Sequence, residues 1–190
     1  METLQIKDIY GNVLFKYTHE YNSIARTLSK AVQDNTDLFL AKLSNQDLRC
    51  FNFNYSRLHG ARLQSSCFDY SNLQGSNLSY ADLSNSTFKC ANLSHVTLHG
   101  ANLTNVDLRH TNLTGADLTG IISDKRYVQV TGIGSRKGTT TYFFEDDLII
   151  CGCFKGSLSE FENRVKITHD DNIIHLKEYL GIISYINLLK

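Results

Sequence analysis

Three groups of residues carry the side chains that do chemistry, and their spacing decides what each is able to do. Gly132-Ile133-Gly134-Ser135-Arg136-Lys137-Gly138 gathers glycines, a hydroxyl and two cations, the materials of an anion site. Phosphate loops space their glycines differently and run into a helix, whose first N–H groups and dipole hold the anion. Here a strand-like run follows, so the stretch reads as a hairpin turn, with Ser135, Arg136 and Lys137 as a candidate anion-binding group. Cys153 and His169 are the second group. A thiol and an imidazole act as nucleophile and base when the fold brings them within hydrogen-bond reach, although a cysteine between a strand and a helix is also a common buried and inert residue. The histidines His59, His95, His99 and His110 are the third. No pair of them has the spacing of zinc ligands, so neither a metal nor a cofactor is expected, and no catalytic residue is assigned.

Composition narrows the classes. The 190 residues are 42% hydrophobic and 20% charged, ordinary values for a folded chain. Lys and Arg number 19, as do Asp and Glu. The neutrality is local too: residues 1–35 carry four charges of each sign, residues 36–120 six of each and residues 121–190 nine of each. A nucleic-acid binder shows a basic patch and a mimic of DNA an acidic one. Neither segmental excess is present, so no direct nucleic-acid contact is expected. The five cysteines, Cys50, Cys67, Cys90, Cys151 and Cys153, are odd in number, and no secretory leader opens the chain. Both facts point to a reducing cytoplasm. No run approaches the ~20 apolar residues of a membrane span.

The elements that must position these groups are dominated by one pattern. Residues 36–120 read as seventeen consecutive five-residue phrases in a single register. The third place is always Leu or Phe, from Leu38 and Leu43 to Leu113 and Leu118. The first place is Ala, Ser, Thr or Val except at Gln46 and Phe51, and the second, fourth and fifth places take polar residues freely. So two places in five point inward, one large and one small. A period of five fits neither an amphipathic helix nor a half-buried strand, and marks a stacked repeat. A longer period of twenty also runs through the segment: Ala41, Ala61, Ala81 and Ala101 recur at that interval, as do Asn52, Asn72, Asn92 and Asn112. Four phrases therefore make one turn.

These phrases, such as Ala81-Asp82-Leu83, Ala91-Asn92-Leu93, Ala101-Asn102-Leu103 and Ala116-Asp117-Leu118, resemble the pentapeptide-repeat proteins. The resemblance implies a mainly β fold: a right-handed quadrilateral β-helix over residues 36–120. On that winding Phe68 and Phe88 stack directly, with Leu48 below and Leu108 above. Asn52, Asn72, Asn92 and Asn112 form either an amide ladder along the axis or a binding ladder. Arg49, Asp69, Lys89 and Arg109 form a column of compensating charge. Cys50 and Cys90 lie two turns apart, about 9.6 Å at the usual strand spacing, beyond disulfide reach. His59 and His99 share a wall at the same separation. Outward Phe39, Tyr55, Tyr70 and Tyr80 fall on three walls; exposed aromatics favour protein interfaces, so Tyr55, Tyr70 and Tyr80 are candidate contacts for a protein partner.

Residues 1–35 read as a cap. Leu4-Gln5-Ile6 and Val13-Leu14-Phe15-Lys16-Tyr17 flank Tyr10-Gly11-Asn12, a hairpin in which Gly or Asn takes positive φ. A helix over about 23–33 follows, with Ile24, Leu28, Ala31 and Val32 on one face and Ser23 or Asn22 as cap. This face is expected on the first turn of the repeat, covering its open strand edge, with Phe51 packed beneath it.

Residues 121–190 read as a small α+β domain. Strands at 127–130, 139–144 and 148–151 give a three-stranded antiparallel meander. Ser159 with Glu162 reads as a capping box opening a short helix with Phe161, Val165 and Leu158 inward. A second helix spans 173–189, with Leu176, Tyr179, Leu180, Ile183 and Ile186 inward. Three roles are open to this domain: closing the upper edge of the repeat, dimer contact, or a site of its own. Ile182, Ile186 and Leu189 leave apolar surface suited to a homodimer. Ile133-Gly134-Ser135-Arg136, Gly152-Cys153-Phe154-Lys155-Gly156, Glu160-Phe161, Val165, His169 and Tyr179 are similar to the tails of pentapeptide-repeat proteins encoded by phages and prophages, which implies phage origin.

The expected function is that of a non-enzymatic, cytoplasmic, phage-associated interaction protein whose rigid repeat binds a host or phage protein. The resemblance also implies an alternative, since some pentapeptide-repeat proteins imitate duplex DNA and engage DNA gyrase. The neutral charge, short rod and α+β tail of this chain depart from that pattern. A third reading is nucleotide or anion binding, or catalysis, through residues 121–190.

Overall fold

The computed structural model describes residues 1–108, 110–133, 138–152, 154–169 and 171–190, with backbone alone for 131–133 and 138. They form a sheet-rich fold with three helices, divided into two compact units, residues 1–124 and 125–190.

The first unit opens with an antiparallel hairpin, β1 (Glu2–Lys7) and β2 (Val13–His19). Gly11 takes the positive φ of its turn, at +91°. Asp8 holds the turn closed, its carboxylate accepting from the backbone N–H groups of Tyr10 and Asn12 at 2.9 Å each. Helix α1 (Ile24–Gln33) follows, and the Ser23 hydroxyl caps it by accepting from the Arg26 N–H at 3.1 Å. The buried face is Ala25, Thr27, Leu28 and Ala31, whereas Ile24 and Val32 are only half-buried. The face is rotated from the expected one for a polar reason. Thr27 Oγ1 donates to Asn22 Oδ1 at 3.1 Å, and the Asn22 amide donates to the carbonyl of Tyr17 at 2.7 Å. That anchor to the hairpin draws the Ala25 and Thr27 flank inward.

The hairpin covers the first edge of the repeat. Asp8 bridges antiparallel to Ala41, the Lys42 N–H donates to the Lys7 carbonyl at 2.8 Å, and the Ile9 N–H donates to the Leu40 carbonyl at 3.1 Å. Edge groups that would otherwise face water or another chain are thereby paired.

From Asp37 onward, isolated parallel bridges join each second-place residue to its counterpart twenty residues on, from Asp37 with Arg57 to Asn102 with Ile122. The chain thus winds as a coil of twenty residues per turn. Its third-place residues are buried from Leu38 to Leu118, except Leu108, which is half-buried. Phe68 and Phe88 stack with centroids 4.7 Å apart and planes 2° from parallel, and Phe53 meets Phe68 edge-on at 6.3 Å. Each such side chain contributes about 1.5–3 kcal/mol by burial, before ordering entropy is subtracted.

The other places have duties of their own. Buried first-place hydroxyls reach back to the previous turn: Ser66 Oγ donates to the Leu43 carbonyl at 3.0 Å, Ser86 Oγ to Leu63 at 2.8 Å and Thr111 Oγ1 to Phe88 at 2.7 Å. Small volume is therefore one of two reasons for Ser at this place. The second place, read as free, is frequently an Asx turn. Asn72, Asn77, Asp82 and Asn102 each accept the N–H two residues on, at 3.0–3.2 Å. The amide ladder also forms: Asn72 donates to Asn52 at 3.2 Å, Asn92 to Asn72 at 3.0 Å and Asn112 to Asn92 at 3.2 Å. The fifth place closes each corner with positive φ, from +55° at Asn105 to +70° at Gly115.

The second unit is a four-stranded antiparallel sheet in the order β3 (Tyr127–Ile133), β4 (Gly138–Phe143), β5 (Leu148–Cys151) and β6 (Phe154–Gly156). The meander of three has a short fourth strand because the chain reverses after Cys151, where Gly152 sits at φ +54°. Helix α2 (Leu158–Thr168) is capped by Ser157 with Glu160. The pair Ser159 and Glu162 fits the same pattern but starts two residues late; Glu162 instead pairs with Lys166 at 2.7 Å, one helical turn away. Helix α3 (Ile173–Leu189) completes the unit. Tyr142, Ile149, Leu158, Phe161, Val165, Ile182, Ile183 and Ile186 form its core, with Leu176, Tyr179 and Leu180 half-buried against it. Ile182 and Ile186 lie inside this core and provide no exposed patch, whereas Leu189 is exposed as expected; the apolar surface of α3 is Ile173, Ile174, Tyr185, Leu188 and Leu189. No helix among the described residues is long and apolar enough to cross a membrane.

Candidate interaction surface

The corner geometry of the coil determines where its aromatic residues stand. Tyr55, Tyr70 and Tyr80 all occupy fifth places at φ +57° to +60°, and each is about two-thirds exposed. A side chain in this conformation leaves the turn outward, away from the packed interior. Residues twenty apart share a corner, so Tyr55 aligns with Gly75, Tyr70 with Cys50 and Cys90, and Tyr80 with Gly60 and Gly100. The three tyrosines therefore occupy three separate corners and form no common patch. Tyr80 also meets the His99 ring edge-on at 5.3 Å, and Phe39 stacks on His59 at 4.4 Å.

Tyr70 borders a groove. An open depression of about 660 Å³ is lined by Ser23 and Ala25 at the start of α1 and by Asp47, Arg49, Cys50, Phe51, Asp69 and Tyr70 of the first two turns. Its wall carries a two-pronged ion pair, with Arg49 Nε donating to Asp47 Oδ1 at 2.8 Å and Nη2 to Oδ2 at 2.6 Å. The Arg49 guanidinium holds the Asp47 carboxyl down at about 2, and Asp47 in turn raises the guanidinium. Half-buried Phe51 stacks on Phe53 at 6.0 Å. Asp69 accepts the Lys89 N–H at 2.9 Å.

The groove thus offers an aromatic face, an apolar floor and a fixed pair of opposite charges. Arg49 is committed to Asp47, and Lys89 pairs with Asp107 at 3.6 Å. Among the described residues the expected column of compensation does not run through Asp69; Arg49 and Lys89 find carboxylates at second places instead. Arg109 lies outside the described residues. Sequence reading missed the groove because Arg49 and Tyr70 meet only through the winding. Its one local signal was the Asp47-x-Arg49 spacing.

Other proposed site residues fall elsewhere. Ser135, Arg136, Lys137 and Cys153 lie outside the described residues. His169 terminates α2, stacks on Tyr179 at 5.2 Å and meets His175 at 6.0 Å. Cys151 is half-buried against the core of this unit, and burial pushes its thiol up while Thr140 Oγ1 donates to Sγ at 2.9 Å. Among the described residues Cys50, Cys67, Cys90 and Cys151 are free thiols, and no cluster of three His, Cys, Asp or Glu is placed to hold a metal.

The family model for pentapeptide repeats matches residues 66–105 and 88–122, in eight copies. By this match, residues 66–122 of the coil are pentapeptide repeats. Solved structures similar to the chain include a pentapeptide repeat protein of the Arabidopsis thaliana thylakoid lumen, 28% identical over 41% of this chain and 54% of that one, with a TM-score of 0.41. A pentapeptide repeat protein from Nostoc PCC 7120 is 25% identical over 56% of this chain and 90% of that one, with a TM-score of 0.33. QnrB1, a plasmid-mediated fluoroquinolone resistance protein, is 20% identical over 40% of this chain and 48% of that one, with a TM-score of 0.22. The match spans about half the length of the Arabidopsis protein. No curated protein sequence matches the chain.

Proposed function

We propose that this chain is a non-enzymatic interaction protein whose pentapeptide-repeat domain, a right-handed four-sided β-helix, binds a host or phage protein along the corner of Tyr70. The carrying observation is the groove that joins Tyr70 to Phe51 and the Arg49–Asp47 pair beside the cap helix. Tyrosine and arginine are the side chains that dominate protein interfaces, because each combines large contact area with directed hydrogen bonding. The coil beneath them is hydrogen-bonded turn to turn, so association orders little of it and loses little entropy. The proposal includes a cytoplasmic setting, in which the exposed thiols of Cys50 and Cys90 stay reduced. Its phage association rests on the resemblance of the tail alone.

A DNA mimic needs a continuous acidic face. On the coil, Lys42 and Arg62 stand in one column with Asp82, Arg57 stands between Asp37 and Asp117, and Asp47 and Asp107 are paired with Arg49 and Lys89. This mixture favours a protein partner without strong net charge over the basic, DNA-binding surface that an acidic mimic would need.

The test is a pull-down from bacterial lysate with the full chain and with Tyr55→Ala, Tyr70→Ala and Tyr80→Ala variants, read by mass spectrometry. A partner kept by the first and last variants and lost from Tyr70→Ala is expected. Retention of the same partner by all three, or no partner for the unaltered chain, overturns the reading.

A further inference from the structure

Helix α3 carries an exposed stripe that its own unit does not explain. Of its seventeen residues only His175, Lys177 and Glu178 are acidic or basic, and apolar side chains occur all round it. Helices of that kind are ordinarily covered on every side. Here Ile182, Ile183 and Ile186 face the core, while Ile174 is 70% and Leu188 85% exposed on the opposite side. Lys177, Gly181 and Tyr185 lie between them and are also exposed. At 100° per residue these five occupy an arc of about 80°.

Gly181 is the telling residue. It sits in the middle of the helix, where glycine costs roughly 0.5–1 kcal/mol relative to alanine. A Cβ built on it would meet nothing within 4 Å, so no close approach among the described residues requires the glycine. A glycine on an exposed helical stripe is, however, what allows a second helix to approach closely.

The stripe is also palindromic. Counted from Gly181, Ile174 and Leu188 lie seven residues away on either side, and Lys177 and Tyr185 four. Two copies of α3 crossing antiparallel at Gly181 would set Ile174 against Leu188 twice and each Lys177 ammonium over the partner's aromatic ring at position 185, a favourable cation–π arrangement. A parallel pair would oppose Lys177 to Lys177. The charge pattern therefore selects the antiparallel form, and a two-fold axis through Gly181 makes the surface self-complementary, as a closed dimer requires.

We propose that the chain forms a homodimer through antiparallel α3 helices crossing at Gly181. Light scattering on the full chain over the micromolar range should give twice the 21.5 kDa chain mass. Gly181→Leu improves helix propensity yet wedges the backbones apart, so it should fold normally by circular dichroism while weakening the dimer at least tenfold. Leu188→Lys should do the same. In a background with Cys50→Ser and Cys90→Ser, Ile174→Cys mixed with Leu188→Cys should crosslink under mild oxidation, and neither variant alone should do so. A monomer at all concentrations, a dimer indifferent to Gly181→Leu and Leu188→Lys, or self-crosslinking of Ile174→Cys would each overturn the proposal.

Discussion

The ring of Tyr55 lies so close over Gly75 that a Cβ on the glycine would sit 2.6 Å from Tyr55 Cε1. The same relation joins Tyr80 to Gly100 and His95 to Gly115, at 2.7 and 2.6 Å. Large rings at the corners are thus seated on glycines one turn later. Gly75→Ala faces two costs: the left-handed backbone at φ +66°, about 1–2 kcal/mol for an L-residue, and displacement of the ring. Gly120→Ala faces only the first, since its φ is also +66° but nothing lies within 4 Å. Gly75→Ala should therefore lower Tm more than Gly120→Ala, at about 2–4 °C per kcal/mol for a chain of this size. Adding Tyr55→Ala should recover part of the difference, a non-additivity that thermal melts of the double-mutant cycle measure.

Two serines at equivalent first places differ in a way that stability will report. Ser76 Oγ reaches the carbonyls of Phe53 at 3.0 Å and Leu73 at 2.6 Å. Ser56 Oγ is the buried side-chain polar atom without a hydrogen bond among the described residues. Ser76→Ala should cost about 0.5–1.5 kcal/mol. Ser56→Ala removes a buried hydroxyl whose desolvation nothing offsets, so it should be neutral or stabilising by up to about 1 kcal/mol. Urea titrations of both variants check the opposite signs, and equal losses would show that volume alone governs this place.

The difference between these serines marks the limit of what the sequence reveals. Seventeen repetitions make the period of five, the buried Leu and Phe column and the asparagine ladder legible, because each is an average over many equivalent phrases. The Phe68 and Phe88 stack follows from their spacing of twenty. What belongs to a single place is not averaged and was lost. Helix α1 turns on the Thr27 and Asn22 bond, which no hydrophobic period encodes. Ser157 and Ser159 each precede a glutamate by three residues, and only the backbone decides which is the cap. The groove at Tyr70 needs both the winding and the docking of α1, two long-range facts. On α3 the apolar residues surround the helix, so period alone could not say which side was buried, and Ile182 was assigned to the wrong one.

The Arg49–Asp47 pair gives the groove a testable acid response. Asp47 titrates at about 2 in the folded chain, held there chiefly by the hydrogen bonds and charge of Arg49, whereas an unfolded aspartate titrates at about 3.9. The folded value is the lower, so the unfolded state takes up the proton first as pH falls. The pair's contribution is therefore complete above about pH 4 and is lost as pH falls toward 2. Both groups are solvent-exposed, which keeps the contribution small and sensitive to salt. Arg49→Ala should return the Asp47 carboxyl to the ordinary aspartate range, observed directly as an upward shift in its NMR titration. The difference in Tm between this variant and the unaltered chain should shrink steadily from pH 5 to pH 2 and at high salt. A carboxyl that stays near 2 without Arg49 would mean that the backbone N–H at position 49, which also reaches Asp47 at 3.3 Å, holds it instead. The groove would then be shaped by its turn and not by its ion pair, and Arg49 would stand free to meet a carboxylate on the partner.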